Sequence, residues 1–316
     1  MPPVHALAPE FASQPRFTLP SNRWLLRGVN LLLRLQRRGF TWSERVAVRI
    51  HSVRGETGSV VPVFEIAPRE LSGVAPAILD FHGGGFFLSY AAGHLRYAER
   101  YALDGGCRVF FPDYRLSIDH PFPAGFDDCY ATLAWVHAEA EALGVDCGRV
   151  LLLGDSAGGA LAAGVAQKAL DRREHPVLAQ LLIYPVTDCD TKTPSATQFH
   201  DTPLWKTASN RNMWKVYLAG HEPWNGPGTS PPPYAAPLHR ERFEGLPPAH
   251  IELAEFDPLR DEGRLYAEAL EKAGVAVETR LVQGAIHGYD LVDDSPTAET
   301  VYAERREALR RLLGGA

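Results

Sequence analysis

No apolar run in this chain of 316 residues is long enough to cross a bilayer. The longest near its start, Trp24 to Leu35, is interrupted by Arg27, Asn30 and Arg34, whereas a spanning helix needs about 20 apolar residues. Residues 1–20 hold Pro2, Pro3, Pro9, Pro15 and Pro20 and nothing like the apolar centre of a secretory leader. The expectation is a cytoplasmic protein with no stable membrane insertion. Basic charge is not in excess either. Asp and Glu number 38 against 32 Lys and Arg, a net charge of −6, so nucleic acid is not an expected partner. The cysteines Cys107, Cys129, Cys147 and Cys189 are scattered, with no C-x-x-C pair, and are expected to be reduced and mostly buried. There is no H-E-x-x-H, no cysteine–histidine cluster along the chain and no internal repeat. No metal or cofactor is therefore expected.

What the chain does have is organised around Gly154-Asp155-Ser156-Ala157-Gly158-Gly159. The apolar run Val150 to Leu153 precedes it and the small-residue run Ala160 to Ala166 follows, which reads as buried strand, tight turn and helix. The pattern Gly-x-Ser-x-Gly in that setting is a nucleophile elbow, which lifts a serine hydroxyl clear of the backbone. Glycines flank Ser156 because side chains there would strike the neighbouring strand and helix. The helix behind the serine aims unpaired N–H groups and partial positive charge at the site.

Taken in order, Ser21 is a candidate cap for a helix through Trp24, Leu25, Val29, Leu32, Leu33 and Leu35. Its basic, amphipathic character fits a membrane surface, but such a helix is expected to cover an apolar surface of its own protein. Strands follow at 46–50, 60–66, 75–81 and 108–114, with Pro62 marking an edge. The strand at 75–81 runs into His82-Gly83-Gly84-Gly85-Phe86-Phe87, a glycine loop of the type that supplies half of an oxyanion hole. A helix carries Phe126, Cys129, Leu133, Val136 and Ala140, on which Asp127 and Asp128 read as a solvated face. Buried strands recur at 179–185, 249–255 and 275–282. The alternation implies an α/β fold built on a mainly parallel twisted sheet with helices on both faces. Between residues 188 and 244 the periodicity weakens and Trp205, Trp214 and Trp224 appear with a proline cluster that includes Pro227. An aromatic-rich insertion of that length reads as a lid or substrate wall.

A serine nucleophile needs a base, and the base needs a carboxylate to hold its tautomer. Asp257 and His287 each stand just past a core strand, in the chain order of an α/β hydrolase. Asp261 is the rival carboxylate, one turn into the following helix. Of the histidines, His82 and His287 flank glycines after strands; His5, His51, His94, His120 and His137 read as surface or turn residues.

Together, His82-Gly83-Gly84-Gly85, Asp113-Tyr114-Arg115-Leu116, His120-Pro121-Phe122-Pro123, Gly154 to Gly159, Asp257-Pro258-Leu259-Arg260-Asp261 and Ile286-His287-Gly288 resemble the hormone-sensitive lipase-like carboxylesterases of the α/β-hydrolase superfamily. The resemblance spans about residues 76–292. It implies Ser156 as nucleophile, His287 as base and Asp257 as acid. The N–H groups of Gly83, Gly84 and Ala157 would form the oxyanion hole. It also implies a helical cap, here residues 1–45 and about 190–245, over a catalytic core of residues 46–316. Ser117-Ile118-Asp119 stands where the family usually has Ala-Pro-Glu. The expected activity is hydrolysis of short- to medium-chain acyl esters, with Phe86, Phe87, Trp205 and Trp214 as candidate pocket residues. An amidase using the same residues, a non-catalytic small-molecule receptor and a lipid-surface lipase are the alternatives; a homodimer is compatible with everything in the sequence.

Overall fold

The computed structural model describes residues 6–56, 58–224 and 229–314. Pro2, Pro3, His5 and Pro227 lie outside them. In chain order the elements are α1 (Pro9–Ala12), α2 (Arg23–Arg37), β1 (Val46–Arg54), β2 (Val60–Pro68), β3 (Ala75–Phe81), α3 (Ala92–Gly105) and β4 (Arg108–Pro112). Then come α4 (Ala124–Ala138), α5 (Ala140–Leu143), β5 (Val145–Asp155), α6 (Ala157–Arg172), β6 (Ala179–Ile183), α7 (Pro194–Gln198) and α8 (Thr207–Tyr217). The chain closes with β7 (Ala249–Phe256), α9 (Arg260–Lys272), β8 (Val277–Ile286) and α10 (Pro296–Leu312). The eight strands form one sheet in the order β1-β2-β4-β3-β5-β6-β7-β8. β2 pairs antiparallel with both β1 and β4, and every other pairing is parallel.

Strands buried on both faces need no polar alternation, and β3 and β6 are buried at every residue. The twofold period instead sorts side chains between two cores. On one face Ala77, Leu79, Phe110, Val150 and Leu152 pack with Phe126, Leu161 and Tyr266 from α4, α6 and α9. On the other, Ile78, Val109, Phe111, Leu151 and Leu153 pack with Ala98 and Val301 from α3 and α10, and with Phe11 from α1. All the parallel strands therefore end at one edge, where loops gather to form a site.

Several readings of the sequence are corrected. Asn22, not Ser21, caps α2, its side chain accepting from Trp24 N at 2.9 Å. The helix does not bury its apolar stripe: Trp24, Leu25, Leu31, Leu32 and Leu35 are exposed, Trp24 at 76 %. It docks by a mixed face instead: Leu26 is fully buried in the core, and beside it polar side chains meet the backbone groups of the glycine loop. The amide of Asn30 donates to Phe87 O at 2.9 Å and accepts from Ser89 N at 2.8 Å, while Arg27 pairs with Asp119 at 2.6 Å. Asp128 is not a solvated residue either. It is fully buried, and Arg115 grips it with Nη2 and Nε at 2.8 and 2.9 Å. His94, expected at the surface, is buried in α3.

The insertion between β6 and β7 holds α7 and α8 and packs on the N-terminal segment. Leu19 N donates to Ser209 Oγ at 2.9 Å, and the Asn212 amide donates to Leu19 O at 2.8 Å. Farther toward the N-terminus the chain leaves the insertion for the core, where Ala8 N donates to Gly284 O at 3.0 Å. No helix among the described residues is long and apolar enough to cross a membrane.

Candidate active site

β5 ends at Asp155 and α6 starts at Ala157, which leaves Ser156 alone to make the turn. It does so at φ 53° and ψ −117°, a conformation that costs an L-residue about 1–3 kcal/mol unless its surroundings hold it. Here Ser156 N donates to Ile183 O at 2.8 Å and Val186 N donates back to Ser156 O at 3.0 Å. The flanking glycines are dictated by contact. A Cβ on Gly154 would lie 2.2 Å from Gly158 O, and one on Gly158 would lie 1.7 Å from Phe81 O in β3.

The raised hydroxyl of Ser156 stands 2.8 Å from Nε2 of His287, just past β8. The other ring nitrogen, Nδ1, is 2.7 Å from Oδ2 of Asp257, just past β7. Asp257 Oδ1 accepts from Leu259 N at 2.8 Å, so backbone fixes the carboxylate from behind. The rival, Asp261, faces elsewhere: its Oδ2 accepts from Ser195 N of α7 at 2.8 Å, and Arg260 Nε reaches its Oδ1 at 3.0 Å. Ser156 and His287 are only 4 % and 6 % exposed, and Asp257 is fully buried. All three side chains are thus shielded from water.

The glycine loop is placed by Asp155, a residue to which the sequence reading gave no role. Its Oδ1 accepts from Gly83 N at 2.8 Å and its Oδ2 lies 3.5 Å from His94 Nε2. Burial would raise the pKa of Asp155, but His94 and the Gly83 hydrogen bond together hold it below the usual carboxylate value. One expectation is thereby corrected: the N–H of Gly83 is already taken by Asp155. Among the described residues, the N–H groups of Gly84, Gly85 and Ala157 make no hydrogen bond with protein. His82 is the loop's foundation rather than a base. Its ring stacks on Tyr114 with centroids 4.2 Å apart, and burial, then the charge of His94, lowers its pKa to about 3.

Of the four pocket candidates, Trp205 packs beside His287. Its ring centroid is 5.6 Å from that of His287, and its tip lies 2.9 Å from where a Gly85 Cβ would sit. Phe87 packs against the same glycine. Phe86 instead stacks on Tyr217 of α8 at 3.7 Å, and Trp214 lies 5.9 Å from Phe86 in the same cluster. Tyr184, also missed in the sequence, sets its ring 4.8 Å from His287 and donates to Asp290. Its only sequence signal was position, at the carboxyl end of a buried strand.

Residues 78–291 match a family profile described as alpha/beta hydrolase fold. The chain belongs to the hormone-sensitive lipase-like carboxylesterases of that fold. It is 40 % identical over 260 residues to carboxylesterase NlhH of Mycobacterium tuberculosis, a match covering 80 % of this chain and 79 % of the relative. A solved bacterial heroin esterase superposes with a TM-score of 0.89 at 36 % identity, covering 98 % of each chain. Esterase LipW from Mycobacterium marinum also gives a TM-score of 0.89, at 33 % identity over 98 % of this chain and 97 % of its own. This member of the family is a carboxylic ester hydrolase, which disposes of the receptor reading.

Proposed function

We propose that the enzyme hydrolyses short- to medium-chain acyl esters through an acyl-enzyme formed on Ser156, with His287 as base and Asp257 as its orienting acid. The unbroken line of contacts from Ser156 Oγ through His287 to Asp257, at 2.8 and 2.7 Å, carries the reading. His287 takes the serine proton as Oγ attacks the ester carbonyl, then returns it to the departing alcohol. Asp257 keeps Nδ1 protonated, so that Nε2 presents a lone pair to the serine. Water repeats the two steps on the acyl-enzyme and restores the hydroxyl. We assign the oxyanion to the N–H groups of Gly84, Gly85 and Ala157, the last at the N-terminus of α6, where the helix dipole adds to them.

The limit on chain length is argued from the ceiling. The described residues within 1–45 and about 190–245 are assigned to the cap, and Trp205 stands beside His287 while Phe86, Trp214 and Tyr217 pack together. Such a site favours a compact acyl group over a long lipid chain. Four unpaired cysteines, three of them buried, fit a reducing compartment, and we place the activity in the cytoplasm. The test is a p-nitrophenyl ester series on purified protein beside its Ser156→Ala variant. Wild type should turn over butyrate faster than emulsified long-chain triglyceride. The variant should fall below about a thousandth of wild type, given the size of nucleophile deletions. The opposite chain-length order would overturn the substrate class; an active variant would overturn the nucleophile.

A further inference from the structure

The sequence shows no cysteine–histidine cluster, yet the fold assembles one at the two stems of the insertion. The outgoing stem leaves β6 through Asp188, Cys189 and Asp190, and the returning stem comes back through His239. Leu238 N donates to Thr187 O at 3.0 Å, which holds the stems side by side. One ligand atom from each of Asp188, Cys189, Asp190 and His239 lies within 4.8 Å of all the others. Asp188 and Cys189 are buried.

The geometry distinguishes a coordination site from a relay. A cysteine–histidine–aspartate relay would use both ring nitrogens, one for the thiol and one for the carboxylate. Here a single nitrogen, His239 Nε2, faces Cys189 Sγ at 3.6 Å and Asp188 Oδ1 at 2.8 Å. Donor atoms gathered in one small volume, instead of strung in a chain, are what a metal requires. With Zn–S about 2.3 Å and Zn–N about 2.0 Å, a tetrahedral site has an S···N edge of about 3.5 Å, close to the distance found. The N···O edge would be about 3.3 Å, so the Asp188 carboxylate must retreat by about half an ångström to admit the ion. That retreat lengthens one hydrogen bond within the outgoing stem. Asp188 Oδ1 also accepts from Asp190 N at 2.9 Å, and Asp190 Oδ2 is held only by exposed Lys192 at 3.4 Å. From α9, Glu262 Oε1 accepts from the backbone N–H groups of Thr187 and Asp188 and braces the outgoing stem.

We propose that Asp188, Cys189, Asp190 and His239 form a structural zinc site that clamps the two stems of the insertion together. Thiolate with imidazole selects a borderline-soft ion; Mg²⁺ and Ca²⁺ want oxygen donors. Four protein ligands close the coordination sphere, so the site is structural rather than catalytic. Binding sends the Cys189 thiol proton to solvent and leaves the ester chemistry untouched.

The experiment is isothermal titration of Zn²⁺ into the full chain after chelator treatment and desalting, repeated on Cys189→Ser and His239→Ala. Wild type should bind one ion per chain with a Kd below about 1 µM, and each substitution should weaken it at least tenfold, the scale of losing one ligand or its support. The unfolding midpoint should rise by about 5 °C at a hundredfold excess of ion over Kd. Co²⁺ should give a sulfur-to-metal charge-transfer band that Cys189→Ser abolishes while its far-ultraviolet dichroism stays native. No binding by wild type, or binding and a cobalt spectrum indifferent to both substitutions, overturns the site and leaves Asp188–His239 as an ion pair between stems.

Discussion

Asparagine at position 257 removes one charge and one acceptor while keeping nearly all the volume of the aspartate. Asp257 is fully buried, with Oδ1 accepting from Leu259 N at 2.8 Å and Oδ2 facing His287 Nδ1 at 2.7 Å. The Leu259 bond demands an oxygen, so an asparagine there turns its NH₂ toward Nδ1. His287 must then accept at Nδ1 and carry its proton on Nε2, where it can no longer take one from Ser156. Turnover should drop roughly 10⁴-fold, or about 5.4 kcal/mol of barrier at about 1.36 kcal/mol per decade. Asp261→Asn should cost less than about tenfold, because its partners are Ser195 N and Arg260 and asparagine still offers Ser195 an oxygen. Steady-state kinetics with p-nitrophenyl butyrate, on variants whose circular dichroism matches wild type, separates the two. If Asp257→Asn keeps more than about a hundredth of wild-type kcat, or Asp261→Asn loses more than it does, the carboxylate assignment fails.

Gly83→Ala would put a Cβ 2.1 Å from Asp155 Oδ2 and push the loop off its anchor; kcat should fall roughly 10²-fold with KM little changed, and an unchanged kcat would refute the anchoring role. Glu252→Gln strips the buried Arg305, 1 % exposed, of its bidentate partner at 2.8 and 2.9 Å, and should destabilise by about 3 kcal/mol at pH 7 in urea unfolding. Burial would raise the pKa of Glu252, but Arg305 carries it below the ordinary glutamate value; its contribution is present above about pH 4.5 and lost as pH falls through the folded value. The gap between wild type and variant should therefore narrow as the carboxylate is protonated at low pH, and a gap independent of pH would contradict the pairing. Gly28→Ala, in the middle of α2 with open space around it, should stabilise by about 0.5–1 kcal/mol and leave turnover unchanged.

Local chemistry determined much of this protein before folding is considered. The glycines around Ser156, the apolar runs of β3, β5 and β6, and the loop after Gly83 act over a few residues, so their meaning is written in neighbouring positions. The order of Ser156, Asp257 and His287 likewise follows from strands whose ends share one edge. Tertiary structure decided whatever depends on which side chain meets which across the fold. Asp155, next to the serine in sequence, reaches across to hold Gly83, so that N–H is not open to a ligand. α2 carries an amphipathic pattern that predicts its apolar stripe turned inward, but the face that docks pairs Leu26 with Asn30, whose amide meets the backbone at Phe87 and Ser89. Asp128, charged and on a helix, is buried because Arg115 comes to it from the preceding loop. Cys189 and His239 sit fifty residues apart in the chain and 3.6 Å apart in space. Pairings of that kind are set by the registration of β6 against its neighbours and by the path of the insertion, and no pattern of adjacent residues encodes them.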